Sequence, residues 1–208
     1  MSSLRHWGLV AVIALATGAV QADDTARYTK IANDGSALAA GAALGAAPRD
    51  WACMRDTETG LTWEVKTRDG GLRDLASTYT PYDGNPATNG GDPGYRDETS
   101  GRCLRERMAG ASCNTEAYVN AVRASRLCGY DDWRLPTLPE LMALARETSS
   151  ARPGETRLAL PNTAEGWYWT AITRVGVTSF SRVVLLPPQG RPAFYDGSYL
   201  VIAVRGGK

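Results

Sequence analysis

Two periods of apolar spacing run along this chain, and the places where one gives way to the other mark its elements. In DTETGLTWEVKT, Leu61, Trp63 and Val65 alternate with Thr62, Glu64 and Lys66. Period two predicts a strand with one buried face and one polar face. A shorter run at Tyr28 to Ile31 predicts another strand, and GSALAAGAALGAAP after it reads as a surface crossing held by Trp51 and Cys53. In NTEAYVNAVRASR the period lengthens: Ala117, Tyr118, Ala121, Val122 and Ser125 fall on one helical stripe. Asn114 or Thr115 can cap its start, and Glu116 suits the positive end of the helix dipole. A second helix begins in TLPEL, where Thr137 and Glu140 have capping-box spacing, proline lies in the first turn, and Leu138, Leu141, Met142 and Ala145 face inward.

Beyond Pro153 the pattern turns to β. Trp167 to Ile172 predicts a strand buried on both faces, SFSRVVLL another, and Asp196-Gly197 a two-residue hairpin between strand-like runs. Tyr199 to Val204 is apolar at every position, which suits a central strand. The pattern predicts an α+β fold, with two mid-chain helices packed on an antiparallel sheet to which both ends of the chain contribute, and long loops.

The first residues change what chemistry is available. MSSLRHW carries one arginine, GLVAVIALATGAV carries no charge, and Val20-Gln21-Ala22 offers small residues at a cut. This order predicts a signal peptide over residues 1–22 and a single domain over 23–208, exported to a periplasm, cell surface or medium. The apolar run is too short to span a bilayer, which takes about 20 residues. His6, the sole histidine, lies in the signal segment. The mature chain therefore lacks imidazole, which excludes Ser-His-Asp and Cys-His catalysis and His-built zinc sites.

Charge adds little. Residues 23–140 hold 14 basic and 18 acidic side chains, and residues 141–208 hold 8 and 4, so the C-terminal third is mildly positive. Arg174, Arg182 and Arg191 could meet sulfate or carboxylate groups if strand pairing brings them to one face. Nothing points to nucleic acid. The turn-rich segment from Thr80 to Gly101 is long for a compact domain. Its Asp83, Asn85, Asn89 and Asp92 offer hard oxygens of the kind calcium takes, although their spacing matches no EF-hand loop.

Four cysteines in an exported chain predict two disulfides. A helix between Cys113 and Cys128 would hold them on the order of 20 Å apart, beyond the roughly 7 Å limit for a bridge. Cys103 with Cys113 closes a short loop and leaves Cys53 with Cys128. The pairing of Cys53 with Cys113 and Cys103 with Cys128 stays open.

In order along the chain, RYTKIANDGSAL, DWACMRDTETGLTWEVKT, CNTEAYVNAV, LCGYDDWRLPTLPEL, the PNT and WYWT run and the closing VRGG resemble the C-terminal domain family of the collagen-like bacterial adhesin Lcl. The adhesin of that family is surface-exposed and trimeric and binds sulfated glycosaminoglycans, so the resemblance implies recognition of glycans or sulfated polyanions; this sequence has no Gly-X-Y stalk. RLPT-x-x-EL is also similar to a helix start in formylglycine-generating enzymes, which implies a C-type-lectin-like fold. Their oxidase chemistry does not carry over, because all four cysteines here precede Trp133.

The residues leave two readings of several positions. Trp133 and Arg134 are either ligand contacts or a core tryptophan beside an arginine paired with Asp131, Asp132 or Glu140, and the second is favoured; Trp63, Thr137 and Glu140 join them as structural residues. Tyr168 is either a sugar-stacking platform or core. The leading expectation is a non-catalytic binding module. A periplasmic assembly protein with a protein partner and a carboxylate-based glycan hydrolase are the alternatives.

Overall fold

The computed structural model describes residues 27–96, 101–104, 112–149, 160–173, 181–186, 192–195 and 197–207. The fold is α+β. Strands β1 (Tyr28–Ala32), β2 (Ala37–Leu38), β3 (Trp51–Asp56), β4 (Leu61–Glu64) and, far along the chain, β8 (Val204–Gly206) form one antiparallel sheet in the order β2-β1-β3-β4-β8. Strands β5 (Gly166–Thr173), β6 (Ser181–Leu186) and β7 (Pro192–Tyr195) form a second, in the order β5-β6-β7. Both ends of the chain meet in the first sheet, as expected, but the WYWT strand belongs to the second. The segment read as a surface crossing, residues 35–48, contains the two-residue β2 and leads into a full strand, β3, between β1 and β4.

The two helices lie where the period of the apolar residues put them. In α1 (Thr115–Ala124) Asn114 is the cap, its Oδ1 accepting from the Ala117 amide at 2.8 Å. In α2 (Leu138–Ser149) the capping box closes both ways: Glu140 Oε2 accepts from the Thr137 amide at 2.7 Å, and Thr137 Oγ1 accepts from the Glu140 amide at 3.4 Å. Leu141, Leu144 and Ala145 are buried, and α2 packs against β5 and β6. No helix among the described residues is long and apolar enough to cross a membrane.

Two apolar clusters fill the interior. One, beneath α1, gathers Tyr118, Val122, Trp133 and Trp169; the other, beneath α2, gathers Met54, Trp63, Leu141 and Tyr168. The run from Val201 to Val204 threads between them, with Val201 and Ala203 in the first cluster and Ile202 and Val204 in the second. That is why it is apolar at every position. It is not a long central strand: only Val204 enters a ladder, and Tyr199 and Leu200 make isolated bridges to Tyr79 and Tyr168. The expected hairpin is overturned as well. β7 pairs with β6 and the residues after Gly197 pair elsewhere, so the turn leads from one sheet to the other; Asp196 lies outside the described residues.

The disulfides are Cys53–Cys128 and Cys103–Cys113. The first ties β3 to the one-turn 3-10 helix Leu127–Gly129, where Cys128 takes a left-handed φ of 53°. Gly35 packs so closely there that a Cβ on it would lie 2.9 Å from the Cys128 carbonyl oxygen. Trp133 is fully buried, and its Nε1 donates to Leu127 O at 3.1 Å. Arg134 exchanges both backbone hydrogen bonds with Val204 at 2.9 Å, and its guanidinium grips both Glu140 oxygens at 2.8 Å. The Trp133–Arg134 segment is thus scaffolding that joins a disulfide, the end of the first sheet and a helix start.

The polar face expected on β4 is not exposed. Thr62, Glu64 and Lys66 are as buried as Leu61, Trp63 and Val65. Glu64 Oε1 lies 2.8 Å from Lys66 Nζ, and Tyr118 Oη donates to the Glu64 carboxylate at 2.5 and 2.6 Å. The Ala203 amide completes the set at 2.7 Å. Each buried charge is paired and hydrogen-bonded, the condition for such groups to be tolerated.

Candidate functional site

Above that buried cluster the outer face of α1 forms one wall of a cleft of about 550 Å³. A segment running from Pro81 to Pro93, the stretch from Arg134 to Thr137, and Trp169 to Ala171 at the heart of β5 supply the rest. Each part is pinned to the helix. Thr115 Oγ1 accepts from the Tyr82 amide at 2.9 Å and donates to Tyr82 O at 2.8 Å, fixing the loop to the helix start. Arg123 Nε donates to Trp133 O, fixing the next segment to the helix end. From below, Tyr118 holds α1 to Glu64. Burial, then Glu64, pushes the Tyr118 phenol well above its usual range, so it stays a protonated donor. Lys66 also donates to Tyr118 Oη, at 3.1 Å; burial pushes its ammonium down and Glu64 pulls it back up.

The cleft combines apolar wall from Val119, Leu135 and Trp169 with several polar side chains. Glu116, Asn120 and Arg123 stand at i, i+4 and i+7 on α1, one row of a helix face. Among the described residues, Glu116 and Asn120 carry no side-chain hydrogen bond or ion pair, and Arg123 uses only Nε. A mixed lining with a few uncommitted polar groups is the usual character of a small-ligand site.

The long loop uses its polar side chains on its own turns. Asp83 Oδ1 accepts from the Asn85 amide at 2.9 Å and its Oδ2 from Thr88 Oγ1 at 2.6 Å. Asn85, Asn89 and Asp92 each accept from an amide two residues on, at 3.0, 2.9 and 2.9 Å. These side chains close turns on their own backbone. No three His, Cys, Asp or Glu side chains converge on a metal position among the described residues.

Other expected positions fall apart. Tyr168 is buried, and its hydroxyl donates to Ala164 O at 2.9 Å, so it belongs to the core and is no stacking platform. Arg182 stands in β6 opposite Phe194; Arg174 and Arg191 lie outside the described residues. Trp63 and Trp133 are buried, Arg134 pairs with Glu140, and Glu140 accepts from the Thr137 amide, while Arg134 and Thr137 also line the cleft. The cleft row itself, Glu116, Asn120 and Arg123, was legible only as the solvent side of an amphipathic helix; its i, i+4, i+7 spacing was the available signal.

The model of the Lcl C-terminal domain matches residues 52–205, a span that contains every wall of the cleft. No curated protein and no solved structure matches the chain. Length and position of the family match leave no ambiguity: the chain belongs to the Lcl C-terminal domain family.

Proposed function

We propose that this chain is an exported, non-catalytic binding module of a bacterial cell surface or periplasm, and that it recognises glycans in the α1 cleft. The signal segment over residues 1–22 and the two disulfides support export. Two sheets, two helices and a long loop over one face support a C-type-lectin-like arrangement.

The observation that carries the reading is the row Glu116, Asn120 and Arg123 beside apolar wall, in which, among the described residues, Glu116 and Asn120 have no side-chain partner and Arg123 uses only Nε. A sugar presents hydroxyls around its edge and C–H groups on its faces, and such a lining meets both. Binding is favoured over hydrolysis because Asp83, the second carboxylate in the cleft, already accepts hydrogen bonds on both oxygens. A general acid–base pair needs two carboxylates free to reach the substrate.

A glycan array probed with the secreted protein tests this. The expected result is retention on a defined set of glycans, equal with calcium and with chelator, and lost when Asn120 and Arg123 are both replaced by alanine. Retention untouched by that double variant would move recognition out of the cleft. A stable protein complex with no glycan retained would establish an assembly role, and glycan turnover would establish a hydrolase.

A further inference from the structure

The charges of the cleft are sorted by end. At the start of α1 stand Glu116 and, across from it, Asp83; a Cβ on neighbouring Gly84 would lie 3.3 Å from Glu116 Oε2, so this loop is directly against that carboxylate. At the other end of the helix stand Arg123 and Arg134. Arg134 is neutralised by Glu140 at 2.8 Å, which leaves Arg123, exposed and with no hydrogen bond on its terminal nitrogens, as the available cation of the lining among the described residues. No basic side chain lines the acidic end among the described residues. Glu116 and Arg123 are seven residues apart, two helical turns, or about 10 Å along the axis.

The helix dipole accounts for an acid in the first turn of α1 and a base in the last. It does not account for Asp83 and Arg134, which separate elements bring to the matching ends of the cleft. Nor does it account for a half-buried Glu116 that has no side-chain partner among the described residues. A ligand of uniform negative charge would be attracted at one end and repelled at the other.

We infer that the cleft selects a zwitterionic glycan segment, with a free sugar amine seated against Glu116 at the end where Asp83 adds negative charge, and a carboxylate on a neighbouring sugar held by Arg123. This rests on the cleft being the glycan site, and it narrows the ligand class to saccharides that carry both charges. The ammonium donates to Glu116, Arg123 donates to the sugar carboxylate, and Asn120 sits between them for hydroxyls.

Matched oligosaccharides of alternating glucuronate and glucosamine, with the amine either free or N-acetylated, separate the possibilities by calorimetric titration. The free-amine form should bind about tenfold tighter, the scale of one charge-assisted contact. Glu116→Gln should erase that preference, so that the free-amine and N-acetylated forms bind alike. Arg123→Gln should weaken both forms alike. Equal or tighter binding of the N-acetylated form, or a preference that survives in Glu116→Gln, overturns the zwitterion assignment. Binding of neither oligosaccharide, while another glycan still binds and responds to Asn120 and Arg123, overturns it too but spares the glycan reading. Failure to bind any glycan removes both.

Discussion

Glu64 and Lys66 stand two residues apart on one strand run and hold their charges 2.8 Å from each other, with side-chain exposures of 0% and 4%. The pair is locked from α1 by Tyr118 and from the C-terminal segment by the Ala203 amide, so it joins three distant parts of the chain beneath the cleft. Removing one charge strands the other. Lys66→Met should cost roughly 3–5 kcal/mol in urea unfolding. Adding Glu64→Gln to it should recover part of that loss, because the amide oxygen still accepts from Tyr118 and Ala203 without a buried charge. A double variant as unstable as the sum of the two single ones would mean that the charges do not interact.

Thr62 has the opposite problem. Its hydroxyl is buried on β4 and finds no partner among the described residues. Thr62→Val keeps the shape and removes the orphaned group, and should raise the unfolding free energy by roughly 1 kcal/mol. A thermal melt that moves downward would show that the hydroxyl is satisfied.

The two disulfides should differ in worth. Cys53–Cys128 closes 75 residues and Cys103–Cys113 closes 10. Loop-closure entropy gives roughly 4 kcal/mol for the first and roughly 3 for the second. Replacing each pair by alanines and comparing denaturation midpoints should rank them in that order.

Acid should destabilise the fold through its arginine-paired carboxylates. Burial pushes Glu140 up, but hydrogen bonds from Arg134 and the Thr137 amide outweigh it and hold the group below its ordinary 4.5. Asp56 behaves likewise: burial raises it, and Arg27, Thr59 and the Glu58 amide bring it below 3.8. The unfolded chain then binds protons before the folded one does. The stabilisation is present above about 4.5 and drains away as pH falls through the lowered values. Glu140→Gln should flatten part of that decline and leave stability at neutral pH lower.

What could be read from the residues alone was local. The capping box of Thr137 and Glu140, the Asn114 cap and the exclusion of a Cys113–Cys128 bridge depend on neighbours a few positions apart or on the length of one helix. The pairing of Arg134 was narrowed to three acids within six residues, and Glu140 is the one. The buried face of β4 was not legible, because Glu64 and Lys66 have the polarity of an exposed face. Their partners, Tyr118 and Ala203, lie 54 and 139 residues from Glu64. Asp196-Gly197 misled for a related reason: a turn dipeptide marks where the chain reverses, not which strands then pair. The cleft stayed hidden because Glu116, Asn120 and Arg123 look like any solvated helix face until Tyr82 and Trp133 bring their segments over it.

The most direct test of the cleft as a recognition site is chemical-shift mapping of the isotope-labelled protein titrated with the tightest glycan from the array. The amides of residues 82–88 and 115–123 and the side-chain signals of Asn120 and Arg123 should shift together and saturate with one affinity, while β1 and β2 stay unmoved. Shifts confined to β6 and β7, with the α1 row silent, would contradict the account.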